Sequence, residues 1–178
     1  MTEGDQPIVS AIRLSDTRIL YWTYKAIKVV DMTENFKIVS SLEGHKVIIS
    51  DIAQMENGTI ITGSYDKGIW IWSYDGKEIK LTHTIEDAHE DKINKVLPLT
   101  KERFATASSD KNIKILSAVS PFNCIFTLEG HTDRVYPMLQ VEDDVMISGS
   151  QNGSNDKGNK RCSSYVRWWR IDIRNVLR

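Results

Sequence analysis

Three of the four histidines in this 178-residue sequence stand ahead of the same kinds of residue at the same distances. Seventeen positions after His45, His89 and His131 come Thr62, Thr106 and Ser148. Nineteen positions after come Ser64, Ser108 and Ser150, and twenty-one after come Asp66, Asp110 and Asn152. A hydroxyl, an imidazole and a carboxylate can make a nucleophilic hydrolase, in which the imidazole takes the hydroxyl proton and the carboxylate holds the imidazole in one tautomer. The same groups buried together can instead satisfy one another's hydrogen bonds and perform no reaction. Repetition separates the two readings, because an active site needs one such set and this chain repeats it, with Asn152 in the carboxylate's place in the third copy. No Gly-x-Ser-x-Gly elbow is present to expose a nucleophile. "GSYDKG" lacks the Gly-Lys-Ser/Thr ending of a phosphate loop. Single histidines without a second ligand nearby do not make a metal site. His83, the fourth, falls within a strand-like stretch and reads as a surface or packing residue. No catalytic, cofactor-binding or metal-binding residues are assigned.

The spacing requires a repeating frame. His45 and His89 are 44 residues apart, His89 and His131 42, a period that belongs to propeller-type arrays. Apolar positions keep the same register: Ile49, Ile93 and Val135 four after each histidine, Ile52, Val96 and Met138 seven after. Between the landmarks lie short β-branched and aromatic runs separated by turn residues, as in "TIITGS" and "GIWIWSY" on either side of "YDK". "RFATAS" with "NIKILSA", and "VMISGS" with "YVRWWRI", repeat that arrangement. One strand precedes each histidine ("FKIVSSL", "KLTHTI", "NCIFTL") and one follows it ("VIISDIA", "KINKVLPL", "RVYPMLQV"). Each unit is thus four short strands, and no window carries a helical period. "AIRLS", "RILYWTY" and "AIKVVDM" supply an earlier unit with no opening histidine. Twenty-seven positions after the histidine stand Trp72 and Leu116; aligning Trp169 with them leaves 11 extra residues in the last unit, within the loop-like stretch 151–164.

These residues resemble the WD-repeat family, whose members form β-propellers. Gly44-His45, Ser64, Asp66 and Trp72 match its pattern. Ala88-His89, Ser108 and Asp110 match with Leu116 in place of the tryptophan, and Gly130-His131, Ser150 and Trp169 match with Asn152 near the Asp position. No unit has the full Trp-Asp pair. The resemblance implies an all-β, WD-type β-propeller with about four four-stranded antiparallel blades, as an open arc or part of a larger ring. Residues 1–7 are expected to be a tail and 8–174 a single propeller domain. Its blades fall at about 8–42, 47–85, 92–128 and 134–174, the last incomplete, with a loop insertion at 151–164. The family also implies a structural hydrogen-bond network in each blade. The turn Asp accepts from the histidine, the histidine from a hydroxyl, and the hydroxyl from the indole N–H. His45 with Thr62 or Ser64, Asp66 and Trp72 is the most complete set. His89, Thr106, Ser108 and Asp110 form a second, and His131, Ser148, Ser150 and Trp169 a third. Thr62 and Ser64 share a strand face, so either can be the hydroxyl.

The expected function is a non-enzymatic protein–protein interaction scaffold that presents propeller loop faces to partners in a larger complex. The loops between blades and the turns inside them emerge on one face. There, Glu86, Asp87, Glu90 and Asp91 make an acidic sector, and Lys157, Lys160, Arg161, Arg167 and Arg170 a basic one. The alternatives are nucleic-acid or phosphoprotein binding through the basic sector, and a Ser-His-Asp hydrolase. A formal net charge of −1, with 40% hydrophobic and 26% charged residues, excludes wholesale disorder and a global attraction to nucleic acid or acidic membranes. Cys124 and Cys162 match no metal or redox spacing, and no signal peptide or membrane span is visible. The expected setting is intracellular, cytoplasmic or nuclear, with protein partners, no cofactor and no membrane. Four blades would close about half of a seven-blade ring. The chain is therefore expected to be part of a longer protein, or to complete its ring with a second chain.

Overall fold

The computed structural model describes residues 7–15 and 17–151, together with the backbone of residues 152 and 165–172. These residues form fifteen β-strands and no helix; none of them lies in a helix long and apolar enough to cross a membrane. The strands make four antiparallel sheets, each a meander in which sequence neighbours pair. Sheet 1 contains β1 (Ser10–Arg13), β2 (Arg18–Trp22), β3 (Ala26–Asp31) and β4 (Lys37–Glu43). Sheet 2 contains β5 (Ile49–Gln54), β6 (Ile60–Ser64), β7 (Ile69–Tyr74) and β8 (Ile79–Ile85). Sheet 3 contains β9 (Ile93–Leu99), β10 (Arg103–Ser108), β11 (Ile113–Ser117) and β12 (Cys124–Leu128). Sheet 4 has three strands among the described residues: β13 (Val135–Glu142), β14 (Val145–Asn152) and β15 (Tyr165–Asp172).

Composition sets the order of burial within each sheet. The second strands "IITGS" and "RFATAS" are buried along their whole length, on both faces. Only small, apolar or hydroxyl side chains fill them, apart from Arg103, which is paired. The fourth strands β4, β8 and β12 are mostly exposed and carry Lys37, Lys80, His83 and Thr127. Polar residues on these edge strands keep a row of open backbone groups from pairing with another chain. His83 itself is exposed. The turns use left-handed backbone where the strands must reverse tightly. Gly58 and Gly76 take φ of 85° and 90°, and Lys67 and Lys111 take 73° and 77° at matching positions of sheets 2 and 3.

The chain divides into two compact units, residues 1–93 and 94–178. In the first, Leu20, Trp22, Ile27 and Val29 of sheet 1 pack with Ile49, Ile52, Ile60, Trp72 and Ile79 of sheet 2. Burial of each such side chain contributes roughly 1.5–3 kcal/mol, so the two sheets stabilise each other. A backbone bond from Ile49 N–H to the Tyr24 carbonyl, 2.8 Å, joins them at the end where the β2–β3 turn lies.

In the second unit Ala105, Ala107, Ile113 and Ile115 pack with Val135, Met138 and Met146. Polar contacts fasten sheets 3 and 4 at both ends. Asn94 Nδ2 donates to the Val135 carbonyl at 2.9 Å. At the opposite end Gln140 Nε2 donates to Thr100 Oγ1 at 3.1 Å, and the Asp144 carboxylate accepts from both Lys101 and Arg103. The side chains of Arg103 and Asp144 are 8% and 5% exposed. Hydrogen bonds from Lys101 and Arg103 hold the Asp144 carboxyl below the usual carboxylate range, against the opposing effect of burial. Taking one partner from such a pair strands the other charge away from water. Asp144→Asn should therefore lower the melting temperature by several degrees. Lys101→Met, which removes the partner whose side chain is 61% exposed, should lower it much less. Calorimetry of the two variants checks this, and equal melting of Asp144→Asn and wild type would count against the staple.

Candidate functional site

The most fully described of the repeated sets lies in sheet 2. "LEGH" brings the chain out of β4 and places His45 at 4% exposure, beside β6 and β7. His45 Nδ1 is 2.9 Å from Asp66 Oδ2, and Nε2 is 2.8 Å from Thr62 Oγ1. Trp72 Nε1–H donates to that same Thr62 oxygen at 3.1 Å. One assignment of protons satisfies every contact: Nδ1–H donates to Asp66, and the Thr62 hydroxyl donates to Nε2 while accepting from the indole. The Trp70 carbonyl, 3.3 Å from Thr62 Oγ1, is a longer contact that competes for the same hydroxyl proton.

Ser64 does a different job. Its hydroxyl donates to the Ile48 carbonyl at 2.9 Å and accepts from Asp66 N–H at 3.1 Å. Asp66 in turn accepts from Lys46 N–H and Gly68 N–H, each at 3.0 Å. One carboxylate thus binds the loop entering the sheet to the turn within it. Glycine precedes His45 for a steric reason. A Cβ at Gly44 would lie 2.6 Å from Trp70 Cζ3 and 2.9 Å from Trp72 Cη2, closer than carbon atoms approach without displacing the rings. The Trp70 ring also covers the imidazole, with centroids 4.6 Å apart.

The second set is built on the same turn. Asp110 N–H donates to Ser108 Oγ at 3.0 Å, and Asn112 N–H to Asp110 Oδ1 at 2.9 Å, as Asp66 and Gly68 do in sheet 2. His89, Thr106 and Ser108 are buried and Asp110 half-buried. His131 Nε2 lies 2.8 Å from Ser148 Oγ, and Ser150 is buried. The ladder gives the last strand a register different from that expected. Trp169 pairs with Ser148, the place that Trp70 holds opposite Thr62. The place of Trp72, opposite Ile60, belongs to Ile171, opposite Met146. The insertion is two residues longer than the tryptophan alignment implies, and Ile171 has no ring N–H to give. Alignment by residue type missed this because a shift of two leaves every side chain on its original face.

Among the charged loop residues, Glu86, Asp87 and Glu90 are exposed and Asp91 half-buried. Glu86 Oε1 is 4.0 Å from Lys46 Nζ, with both side chains more than two-thirds exposed. Lys157, Lys160 and Arg161 lie outside the described residues; Arg167 and Arg170 fall in β15, where the backbone alone is described. Sequence reasoning missed the buried ion pairs. Arg18 Nη2 meets Asp31 Oδ2 at 2.9 Å, and Arg103 meets Asp144. The Arg18–Asp31 pair carries a signal, since these residues face each other across the β2–β3 ladder. Among the described residues no group of three or more His, Cys, Asp or Glu is placed to hold a metal ion.

Burial pushes the His45 imidazole below its ordinary value, and the neighbouring Asp66 only partly opposes it. Burial would raise the Asp66 carboxyl, but the His45 imidazole and the N–H groups of Gly68 and Lys46 outweigh it and hold the carboxyl below the usual range. Both shifts act in the same direction. The unfolded chain takes up protons that the folded chain refuses, so stability falls as pH drops. For His45 the loss begins near an ordinary imidazole value of about 6.5 and levels off below the folded value; Asp66 adds to it in stronger acid. Urea unfolding at pH 7.5 and 5.5 should show a loss of stability in the wild type that His45→Gln, itself less stable, does not share. At neutral pH, Thr62→Val leaves both His45 Nε2 and the Trp72 N–H without a partner and should cost roughly 2–4 kcal/mol. Thr62→Ser keeps the hydroxyl and should cost about 1 kcal/mol for the lost methyl. Equal costs would remove the hydroxyl from the centre of the set.

Known proteins share this construction. Residues 36–73 match the family model for the WD domain, G-beta repeat. The ribosome biogenesis protein WDR12 homolog of Drosophila mojavensis is 28% identical over 123 residues, covering 65% of this chain and 28% of that protein. The WDR12 homolog of Nematostella vectensis is 30% identical over 111 residues, covering 61% and 27%. The chain thus spans less than a third of the length of these relatives. The WD40 β-propeller domain of Doa1 superposes with a TM-score of 0.65 at 22% identity, over 81% of this chain and 47% of that one. The WD40 repeats of RRP9 give 0.72 at 17% identity, over 83% and 46%. At those identities the likeness to solved structures is one of fold. The recurring histidine turns, the meander sheets and the matched repeat converge: residues 36–73 form a WD repeat, and the sheets are built as blades of the β-propeller fold.

Proposed function

We propose that this chain is a non-enzymatic scaffold that presents its interblade loops and intrablade turns to protein partners. One observation carries the reading. The Thr62 hydroxyl is fully buried and held between an imidazole and an indole N–H, so no substrate carbonyl can reach it. Charged side chains at Lys46, Glu86, Asp87 and Glu90 are exposed in the adjoining loops, and exposed loops on a rigid frame are where recognition concentrates. The acidic residues Glu86, Asp87, Glu90 and Asp91 are the docking candidates within the described structure. The basic group Lys157, Lys160, Arg161, Arg167 and Arg170 is the second candidate. A further chain supplying the remaining blades would be one such partner.

The WDR12 homologs that resemble the chain are ribosome biogenesis proteins by name. That likeness supports a finer proposal: the partners belong to an assembly that builds ribosomes, and the compartment is the nucleus rather than the cytoplasm. Affinity capture of the tagged full chain from its native cells should enrich proteins of pre-ribosomal particles. Charge reversal at Glu86, Asp87 and Glu90 should deplete some of them without changing the melting temperature. Hydrolysis of an activated ester that disappears in a folded His45→Ala variant would overturn the non-enzymatic reading.

A further inference from the structure

Within residues 1–93 a groove of 590 Å³ opens among the β2–β3 turn, the loop entering β5 and the β6–β7 turn. Its surface is mostly apolar. Ala26, Ile48 and Tyr65 line it half-buried, while Tyr24 and Val47 remain 43% and 40% exposed. Exposed apolar side chains gathered in a concave site mark a place that another molecule covers. The charge is lopsided. Lys25, Lys46 and Lys92 bring three ammonium groups to the groove, and Glu43 is the one carboxylate lining it. Lys92 Nζ lies over the Tyr65 ring, 5.0 Å from its centroid. That contact spreads a cationic field over the groove.

We propose that this groove binds an extended protein segment with one apolar side chain flanked by carboxylates. The apolar side chain occupies the surface of Val47, Ile48 and Tyr24, and the carboxylates meet Lys25, Lys46 and Lys92. This names the partner chemistry for the scaffold reading above and rests on it. The lining favours a peptide over single-stranded RNA. Successive nucleobases stack on several open aromatic faces, whereas the Tyr65 face carries the Lys92 ammonium and Tyr24 is left as the single open ring of the groove. The groove borders the acidic sector around Glu86 through Lys46, whose ammonium lies 4.0 Å from Glu86 Oε1; that sector calls for a partner of opposite charge.

The test uses the full chain and fluorescein-labelled peptides with one central Leu or Phe between runs of Asp and Glu. A matched pool has Ser at the centre, and a charge-matched oligouridylate serves as the nucleic-acid arm. The anchored acidic pool should bind, and the Ser pool about tenfold more weakly. Lys25→Glu combined with Lys46→Glu should weaken the anchored pool at least tenfold, about 1.4 kcal/mol, and Val47→Asp should do the same. Lys80→Glu, on the exposed β8 strand, should leave binding unchanged, and all variants should melt with the wild type. Failure of the wild type to bind the pool, indifference to the lysine reversals, or tighter binding of oligouridylate would each overturn the proposal. If the Lys25→Glu, Lys46→Glu variant still captures the cellular partners of the wild type, the groove assignment falls and the scaffold reading stands. If the wild type captures no partner, the scaffold reading itself falls.

Discussion

A hydroxyl inside a β-sheet, with no water to meet it, must find its partners in the protein. Thr62 is fully buried, and two side chains converge on it: the imidazole of His45 and the indole of Trp72. The imidazole then has a second nitrogen to satisfy, and Asp66 accepts from it. Asp66 has further oxygen lone pairs, which the N–H groups of Lys46 and Gly68 fill. Each demand creates the next, until the chain of contacts reaches the surface at a loop and a turn. The loop between blades is thereby fastened to the turn inside a blade by side chains four links deep. That fastening turns a stretch of irregular backbone into a rigid platform on which exposed charges can be displayed.

The same physics keeps the set from acting as an enzyme. A nucleophilic hydroxyl needs one side open to a carbonyl and donors nearby for the developing oxyanion. Thr62 instead spends both faces on protein partners, with Trp70 laid over the imidazole. Preference for the neutral imidazole follows from this enclosure, because burial penalises the charged form more than Asp66 rewards it. What remains available for recognition lies outside the sets, in lysines, tyrosines and carboxylates of the turns. Their placement is precise only because the buried sets hold the backbone still.

Ion pairs carry out the comparable task between neighbouring sheets of the second unit. Asp144, in the β13–β14 turn, receives Lys101 from the β9–β10 turn and Arg103 from the start of β10. The pairing joins residues more than forty positions apart, across two sheets whose apolar side chains already interlock. Hydrophobic contact brings the sheets together without choosing one sliding position; a buried charge that must meet its partners chooses it.

The period of the array, the four-strand unit and the recurrence of histidine ahead of a hydroxyl were legible in the sequence because each rests on local pattern. Alternating apolar residues, turn residues and a repeat near 40–45 positions are properties of neighbours along the chain. Three matters were not legible. The hydroxyl chosen by His45 depends on the depth of the ring: Thr62 and Ser64 share a face, and the loop geometry sets Nε2 against the first. The register of β15 depends on the ladder, since a slip of two residues preserves the face and leaves no trace in the pattern. The groove and the Arg103–Asp144 pair depend on which turns meet across sheets, a relation between residues distant in sequence. Local periodicity by itself determined that this chain builds β-blades of short antiparallel strands, with a histidine ahead of three of them. Tertiary packing alone decided which atoms complete each tie and where a cationic, apolar surface is left open, because those outcomes depend on distances through space and not along the chain.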